Sequence, residues 1–179
     1  AADSIGFSVF GTVNLRSNLP AITSTVSIDG TNAGSPGIVL NGIGIAGHRT
    51  GLALNAGSDG STIRGLVIQY FGASSLSQGI NIGSSNNTIA GNYIGTNAAG
   101  TSSANNYNGI NIWAGTGNTI GGTNPSDRNL ISGNSNIGVV VVSDGQTVIG
   151  NYIGTNAAGT AAVGNGHGIY INAAGNTVG

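Results

Sequence analysis

The sequence predicts an all-β fold, a right-handed parallel β-helix of about five to six coils with ~29 residues and three short strands in each coil. The segment GNYIGTNAAGT occurs at residues 91–101 and again at residues 150–160, which places the two copies 59 residues apart. A glycine that starts an alternating apolar segment recurs every 28 to 30 residues, at Gly51, Gly79, Gly109, Gly138 and Gly168. A fixed period in this range is the signature of stacked repeats, and 59 residues are two such periods.

From Gly51 onward, each unit carries three short segments in the same order, first GIxI, then TIxG, then NxIG or its equivalent. Because the segments repeat in the same order and do not mirror one another, each strand is expected to pair in parallel with its counterpart one period later. Alternation within a strand turns every second side chain inward. The sequence therefore predicts continuous inward columns, the clearest being Ile80, Ile110, Val139 and Ile169.

The chain is predicted to form a single domain over residues 1–179, with an irregular N-terminal coil and cap in residues 1–50 and regular coils in residues 51–179. The N-terminal part repeats less well, but four of its segments alternate like strands: FSVF (7–10), TVNL (12–15), VSIDG (26–30) and GIVLNG (37–42). The final segment NAAGNTVG stops inside a second strand, which predicts an uncapped C-terminal coil.

Two residue types are expected to shape the corners of the coils. Glycine tolerates positive φ, so Gly79, Gly109, Gly138 and Gly168 are predicted to adopt it at corners. Stacked amides can hydrogen-bond from layer to layer. That property predicts a coil-to-coil ladder formed by Asn92, Asn129 and Asn151.

The composition excludes several partners. Only 5% of the residues are charged, against about 25% in a typical soluble domain, and the net charge is −1. Binding to nucleic acid or to anionic lipid requires clustered Lys or Arg, and the chain contains four such residues in total. No apolar run approaches the ~18 residues of a membrane helix. The start AADS, without an initiating Met, suits a mature secreted protein, so we expect an extracellular location.

Four sequence segments resemble those of a known group of repeat proteins: NTIxGN, GNYIGTNAAGT, NTIGGTNPSDRNLISGN and STIRGLVIQ. They resemble the right-handed parallel β-helix repeat proteins of bacterial secreted and cell-surface polypeptides, and the resemblance covers nearly the whole chain. It implies an extracellular or surface protein. The related pectate-lyase-like superfamily also contains polysaccharide lyases, hydrolases and epimerases, and the fold alone does not choose among these activities.

The acidic residues do not predict a catalytic centre. Asp59 and Asp144 lie in equivalent SDG turns three coils apart, about 14 Å along the axis, and are interpreted as turn residues. Asp29 falls in the column of Arg64 and predicts a surface ion pair. The Asp127–Arg128 pair is interpreted as a loop salt bridge or a source of corner hydrogen bonds, with a minor catalytic alternative. We predict no catalytic, cofactor-binding or metal-binding residue.

Outward positions offer a candidate interface or ligand surface. One outward face is expected to carry a stacked column of four residues: Val67, Tyr93, Leu130 and Tyr152. A second outward face is expected to carry apolar and aromatic side chains: Trp113, Val140, Val142 and Tyr170. Scattered surface residues, or long loops folding over them, are the alternatives. The sequence predicts a non-enzymatic extracellular structural protein that associates with itself, with a carbohydrate-binding adhesin or a polysaccharide-active enzyme as alternatives. The candidate interface residues are Tyr93, Leu130, Tyr152, Trp113, Val140, Tyr170 and Val142.

Overall fold

The computed structural model describes residues 2–179 as a parallel β-solenoid, which confirms the predicted all-β repeat fold. The chain makes about six turns of roughly 28 residues each. Helical structure in the described residues is confined to one turn of 3₁₀ helix at Pro125–Asp127.

Three parallel sheets run along the rod. In the order in which neighbouring strands pair, sheet A contains β1 (Asp3–Gly6), β3 (Val26–Asp29), β8 (Thr62–Arg64), β11 (Thr88–Ala90), β14 (Thr119–Gly121), β17 (Thr147–Ile149) and β20 (Thr177–Val178). Sheet B contains β2 (Gly11–Asn14), β6 (Ile38–Asn41), β9 (Leu66–Gln69), β12 (Tyr93–Ile94), β15 (Leu130–Ile131) and β18 (Tyr152–Ile153). Sheet C contains β7 (Thr50–Leu54), β10 (Gln78–Ile82), β13 (Asn108–Ile112), β16 (Ile137–Val141) and β19 (His167–Ile171). A small antiparallel hairpin of β4 (Thr31–Asn32) and β5 (Ser35–Pro36) projects between sheets A and B.

The strand register confirms the predicted columns. Ile80 pairs with Ile110, Ile110 with Val139, and Val139 with Ile169. The first three of these side chains are fully buried, and Ile169 packs against the same core cluster. Each buried aliphatic side chain contributes about 1.5–3 kcal/mol. The apolar burial within a single coil is smaller than the entropy cost of ordering the backbone of that coil. The coils must therefore stack on one another to be stable.

The N-terminal strands differ from the prediction. FSVF does not form a strand; β1 lies earlier, at Asp3–Gly6, and the following residues connect β1 to β2. Register explains the difference, because β1 places Ile5 beside Ile28, at the start of the inward column of sheet A. Phe7 then packs against the edge of the core from the connection. The strands β1 and β2 therefore belong to the same sheets as the strands of the regular coils.

The prediction of positive φ at the four recurring glycines is wrong. None of Gly79, Gly109, Gly138 or Gly168 has positive φ. Three of them lie directly against the next coil, since a Cβ on Gly79, Gly109 or Gly138 would lie 2.5–2.6 Å from the carbonyl oxygen of the glycine that follows in the column. The glycine column is required by close approach of stacked backbones. Positive φ occurs instead one corner away, for example at Gly121.

Amide side chains form three coil-to-coil ladders, one at each corner. The predicted ladder is confirmed: the backbone N–H of Asn92 donates to Oδ1 of Asn129, and that of Asn129 donates to Oδ1 of Asn151. Two further ladders, which the sequence analysis missed, repeat this geometry. Their members are Ser61, Asn87, Asn118, Gln146 and Asn176 in one ladder, and Asn106, Asn134 and Asn165 in the other.

Candidate functional site

The first predicted surface, on the outside of sheet B, is largely covered. Val67, Tyr93, Leu130 and Tyr152 follow one another in register as predicted. However, Val67 is buried and Leu130 is only 2% exposed, so Leu130 was wrongly placed on an exposed face. The alternative, that long loops fold over this column, is correct for Leu130.

The cover comes from the repeated segment itself. The two GTNAAGT loops, at residues 95–101 and 154–160, lie against each other, and the Ala157 N–H donates to the Gly100 carbonyl over 2.8 Å. A Cβ on Gly100 would meet the side chains of Leu130 and Tyr93 at 2.8 and 3.0 Å. Glycine at this position therefore allows the first loop to lie flat on the column.

A shallow groove of ≈ 200 Å³ remains beside these loops. Two tyrosines and two arginines are among the residues that line it: Tyr93, Tyr152, Arg64 and Arg128. The guanidinium carbon of Arg128 lies 4.2 Å from the centre of the Tyr152 ring, a cation–π distance, and its Nε donates to the Gly150 carbonyl over 3.1 Å. One face of Tyr152 is thus occupied by a side chain of the same protein.

Arg64 lies between two carboxylates. The predicted pair with Asp29 is present at 4.0 Å, and a second contact of 3.9 Å joins Arg64 to Asp127. Among residues 2–179, Asp127 pairs with Arg64 and not with Arg128, so the salt-bridge alternative for Asp127 and Arg128 is wrong and the alternative of corner hydrogen bonds is confirmed. The 3₁₀ turn explains this, because Asp127 at its end reaches Arg64, which lies two coils earlier, and accepts a hydrogen bond from Nδ2 of Asn124 over 2.9 Å. The spacing of Arg64 and Asp127 along the sequence gave no signal of their contact.

The electrostatics of Asp29 combine opposing effects. Partial burial acts to raise the pKa of Asp29, but hydrogen bonds from Thr31 and the positive charge of Arg64 outweigh it, and the net effect is a lowered pKa. The backbone N–H of Thr31 donates to Oδ1 of Asp29 over 2.9 Å. The carboxylate therefore fixes the hairpin that begins at Thr31.

The second predicted surface, on the outside of sheet C, is partly open. Trp113 is 50% exposed, and Val142 and Tyr170 are also exposed. Val140 is only 9% exposed and was wrongly counted as accessible, because it lies on a central strand with neighbours on both sides. Trp113 lies flat against Gly83, where a Cβ would collide with the indole ring. The resulting surface is uncharged and carries two aromatic side chains, two coils apart or about 10 Å along the rod.

The remaining acidic residues act as predicted turn residues. Asp59 accepts a hydrogen bond from the Ser85 N–H at 2.8 Å, and Asp144 accepts one from the Ala174 N–H at 2.7 Å. Each of these carboxylates thus joins its turn to the turn of the next coil. Within residues 2–179, no three His, Cys, Asp or Glu side chains lie close enough together to hold a metal ion. No helix in that range has the length and apolar character needed to cross a membrane.

The first and last coils present apolar side chains in columns that are buried elsewhere. Ile5 on β1 is 46% exposed and Val178 on β20 is 50% exposed, although both belong to the inward column that contains the fully buried Ile63 and Ile89. Val13 on β2 is exposed in the same way. The strands in these coils are also edge strands, each with a neighbour on one side.

Comparisons with protein-family models, with curated proteins and with solved structures gave no match.

Proposed function

We propose that this protein is a non-enzymatic structural rod of the cell exterior that associates with itself. The observation that carries the proposal is the open apolar surface on the outside of sheet C, where Trp113 is 50% exposed and Val142 is exposed beside it. A side-by-side contact between copies would remove these side chains from water.

The composition supports association. With 5% charged residues and a net charge of −1, two copies experience little electrostatic repulsion. The resemblance to bacterial surface β-helix arrays supports an extracellular setting. The covered column on sheet B leaves less exposed apolar area for side-by-side contacts than the sequence predicted, so the outside of sheet C is the favoured contact surface.

Sedimentation velocity over a concentration series tests this proposal. The protein should form species larger than one protomer, and Val142→Lys should suppress them because burying a lysine charge in an apolar contact is costly. Val9→Lys is the matched control, since it places the same charge at an exposed valine outside the sheet C surface. Monomeric behaviour of the unmodified chain at high concentration would refute the proposal. Equal suppression by both variants would show that the added charge, and not this surface, controls association.

Carbohydrate binding is the second candidate function, and the open surface on sheet C favours it. Trp113 and Tyr170 present half-exposed aromatic rings on an uncharged face, as sites that stack on sugar rings do. A glycan array should detect binding that Trp113→Ala removes and Trp113→Phe largely keeps. Equal binding by all three proteins would show that this surface is not the ligand site.

A further inference from the structure

Three side chains near the start of sheet C are placed to react with one another. Thr50 and Gln78 are the first residues of β7 and β10 and are paired in register, and His48 lies two residues before Thr50. We propose that the Thr50 hydroxyl forms an ester with the side chain of Gln78, with His48 as the base and with release of ammonia. The product is a covalent cross-link between two neighbouring coils, and it forms whether or not copies of the protein associate.

The carboxamide of Gln78 is buried but incompletely hydrogen-bonded. Gln78 is 9% exposed, and its Oε1 is buried without a hydrogen-bond donor among residues 2–179. Its Nε2 donates to the Leu76 carbonyl over 3.3 Å, which is longer than a usual N–H···O bond. A buried acceptor that lacks a donor costs free energy. Because an ester carbonyl is a weaker acceptor than an amide carbonyl, conversion to the ester relieves part of that cost.

Thr50 has a base beside its hydroxyl. Its Oγ1 lies 3.3 Å from Nε2 of His48, so with the ring proton on Nδ1 the imidazole accepts the hydroxyl hydrogen. Histidine is the side chain most often used as a general base, and it activates hydroxyl nucleophiles in this way. His48 is exposed, so the site opens to solvent on the side of the imidazole and ammonia has a path out.

The strand register brings the hydroxyl and the carboxamide together. In-register residues of neighbouring strands lie about 4.8 Å apart and project to the same side of the sheet. The Cδ of Gln78 lies two bonds beyond Cβ, which is enough to cross this spacing to Oγ1 of Thr50. On the other side of Gln78, Asn108 uses its Oδ1 on the following coil, where it accepts from the N–H of Ile137. Thr50 is therefore the hydroxyl that neighbours Gln78 within the sheet.

Hydrogen bonds hold both reacting segments in place. The N–H of Thr50 donates to Oδ1 of Asn18 over 2.9 Å, and Nδ2 of Asn18 donates to the His48 carbonyl over 3.1 Å. The N–H of Gln78 donates to the carbonyl of Arg49 over 3.0 Å. Groups held in a fixed geometry react as though they were at very high concentration, which compensates for the low reactivity of a carboxamide.

The proposed step is balanced by these three residues alone. Oγ1 of Thr50 attacks Cδ of Gln78 while its proton passes to Nε2 of His48. The tetrahedral intermediate then collapses, His48 gives the proton to the leaving nitrogen, and the Cδ–Nε2 bond breaks. One ester bond forms, one amide bond breaks, and one ammonia leaves. In neutral water the ammonia is protonated and diluted, which draws the reaction forward, and the burial of Gln78 keeps water from the ester.

Intact mass spectrometry of the purified protein tests the cross-link. The protein should weigh about 17 Da less than its sequence requires, the mass of one ammonia. Trypsin cleaves after Arg49, Arg64 and Arg128, so peptides 50–64 and 65–128 should appear as one joined species that mild base separates. A protein with the full sequence mass after prolonged incubation would overturn the proposal. The same mass loss with the two peptides separate would also overturn it, because a succinimide at an Asn–Gly bond releases ammonia without a cross-link.

Three variants assign the roles of the residues. Thr50→Val and Gln78→Glu should each leave peptides 50–64 and 65–128 separate, because the first lacks the nucleophile and the second lacks the amide leaving group. His48→Ala should form the cross-link about a hundredfold more slowly, as expected for loss of a general base. An unchanged rate in His48→Ala would remove His48 as the base, and a cross-link in Thr50→Val would overturn the proposal.

Thr62→Val is the matched control. Thr62 is also a half-buried strand threonine in peptide 50–64, but its neighbour in β11 is Thr88 and not a glutamine. This variant should lose ammonia and join the two peptides as the unmodified protein does. Loss of the cross-link in Thr62→Val, with circular dichroism showing an intact solenoid, would contradict the assignment to Thr50.

Discussion

Replacement of Asn129 by Ala tests the amide ladders as structural elements. Asn129 is fully buried. Its Oδ1 accepts from the backbone N–H and from Nδ2 of Asn92 at 2.9 and 3.1 Å, and its Nδ2 donates to the carbonyl of Ile89 and to Oδ1 of Asn151 at 2.7 and 2.9 Å. Four hydrogen bonds across three coils are therefore lost together.

The expected loss in the free energy of unfolding depends on which hydrogen bonds the partners of Asn129 retain in the variant. Nδ2 of Asn92 retains the carbonyls of Ile63 and Ala90, and Oδ1 of Asn151 retains the backbone N–H of residue 129. The backbone N–H of Asn92 loses its acceptor in a buried site, which costs about 1–3 kcal/mol. With the small cavity left by the amide, we expect a loss of about 2–4 kcal/mol in the free energy of unfolding.

Urea unfolding, followed by circular dichroism, measures this loss. Asn111→Ala is the matched control, because Asn111 also donates to an amide of the neighbouring coil, at 2.8 Å to Oδ1 of Asn81, but is half-exposed. Water replaces that bond, so the control should lose about 1 kcal/mol or less. Equal losses in the two variants would refute the conclusion that the buried ladder stabilises the corner.

Three further predictions concern the core, the turns and the surface ion pair. Ile110→Ala should lower the free energy of unfolding by about 2–5 kcal/mol, measured by urea titration, because the side chain is fully buried in a continuous column; a loss below 1 kcal/mol would contradict that packing. Gly145 and Gly121 both have positive φ, yet only Gly121 has a neighbouring backbone where a Cβ would stand, so thermal unfolding should show a clearly larger loss for Gly121→Ala than for Gly145→Ala. The lowered pKa of Asp29 means that its contribution is present above the unfolded pKa of about 4 and is lost as pH falls through the folded value. Asp29→Asn should therefore reduce stability by less than ~1 kcal/mol at neutral pH and by progressively less as the pH falls below about 4, and a loss that does not change with pH would contradict this assignment.

The sequence predicted the repeat, the parallel pairing and the inward columns because these depend on periodicity, which can be read from one amino-acid sequence alone. It also predicted the ladder through Asn92, since the three asparagines occupy equivalent positions in successive units. The ladder through Asn87 was less visible because serine and glutamine replace asparagine at Ser61 and Gln146, where different side chains provide the same acceptor.

The candidate surfaces were predicted less well for a different reason. Alternation shows which side chains leave the interior of a coil, but not whether a loop then covers them. Leu130 points away from the interior and is nevertheless buried beneath the loop that contains Gly100. The contact between Arg64 and Asp127 likewise depends on the inserted turn, whose direction no periodic pattern records.

Small-angle X-ray scattering across a concentration series tests side-by-side association most directly. One protomer of about six coils is roughly 30 Å long. The account predicts that the cross-sectional radius grows with concentration. Growth of the maximum dimension in steps of about 30 Å at constant cross-section, or no growth at any concentration, would contradict it.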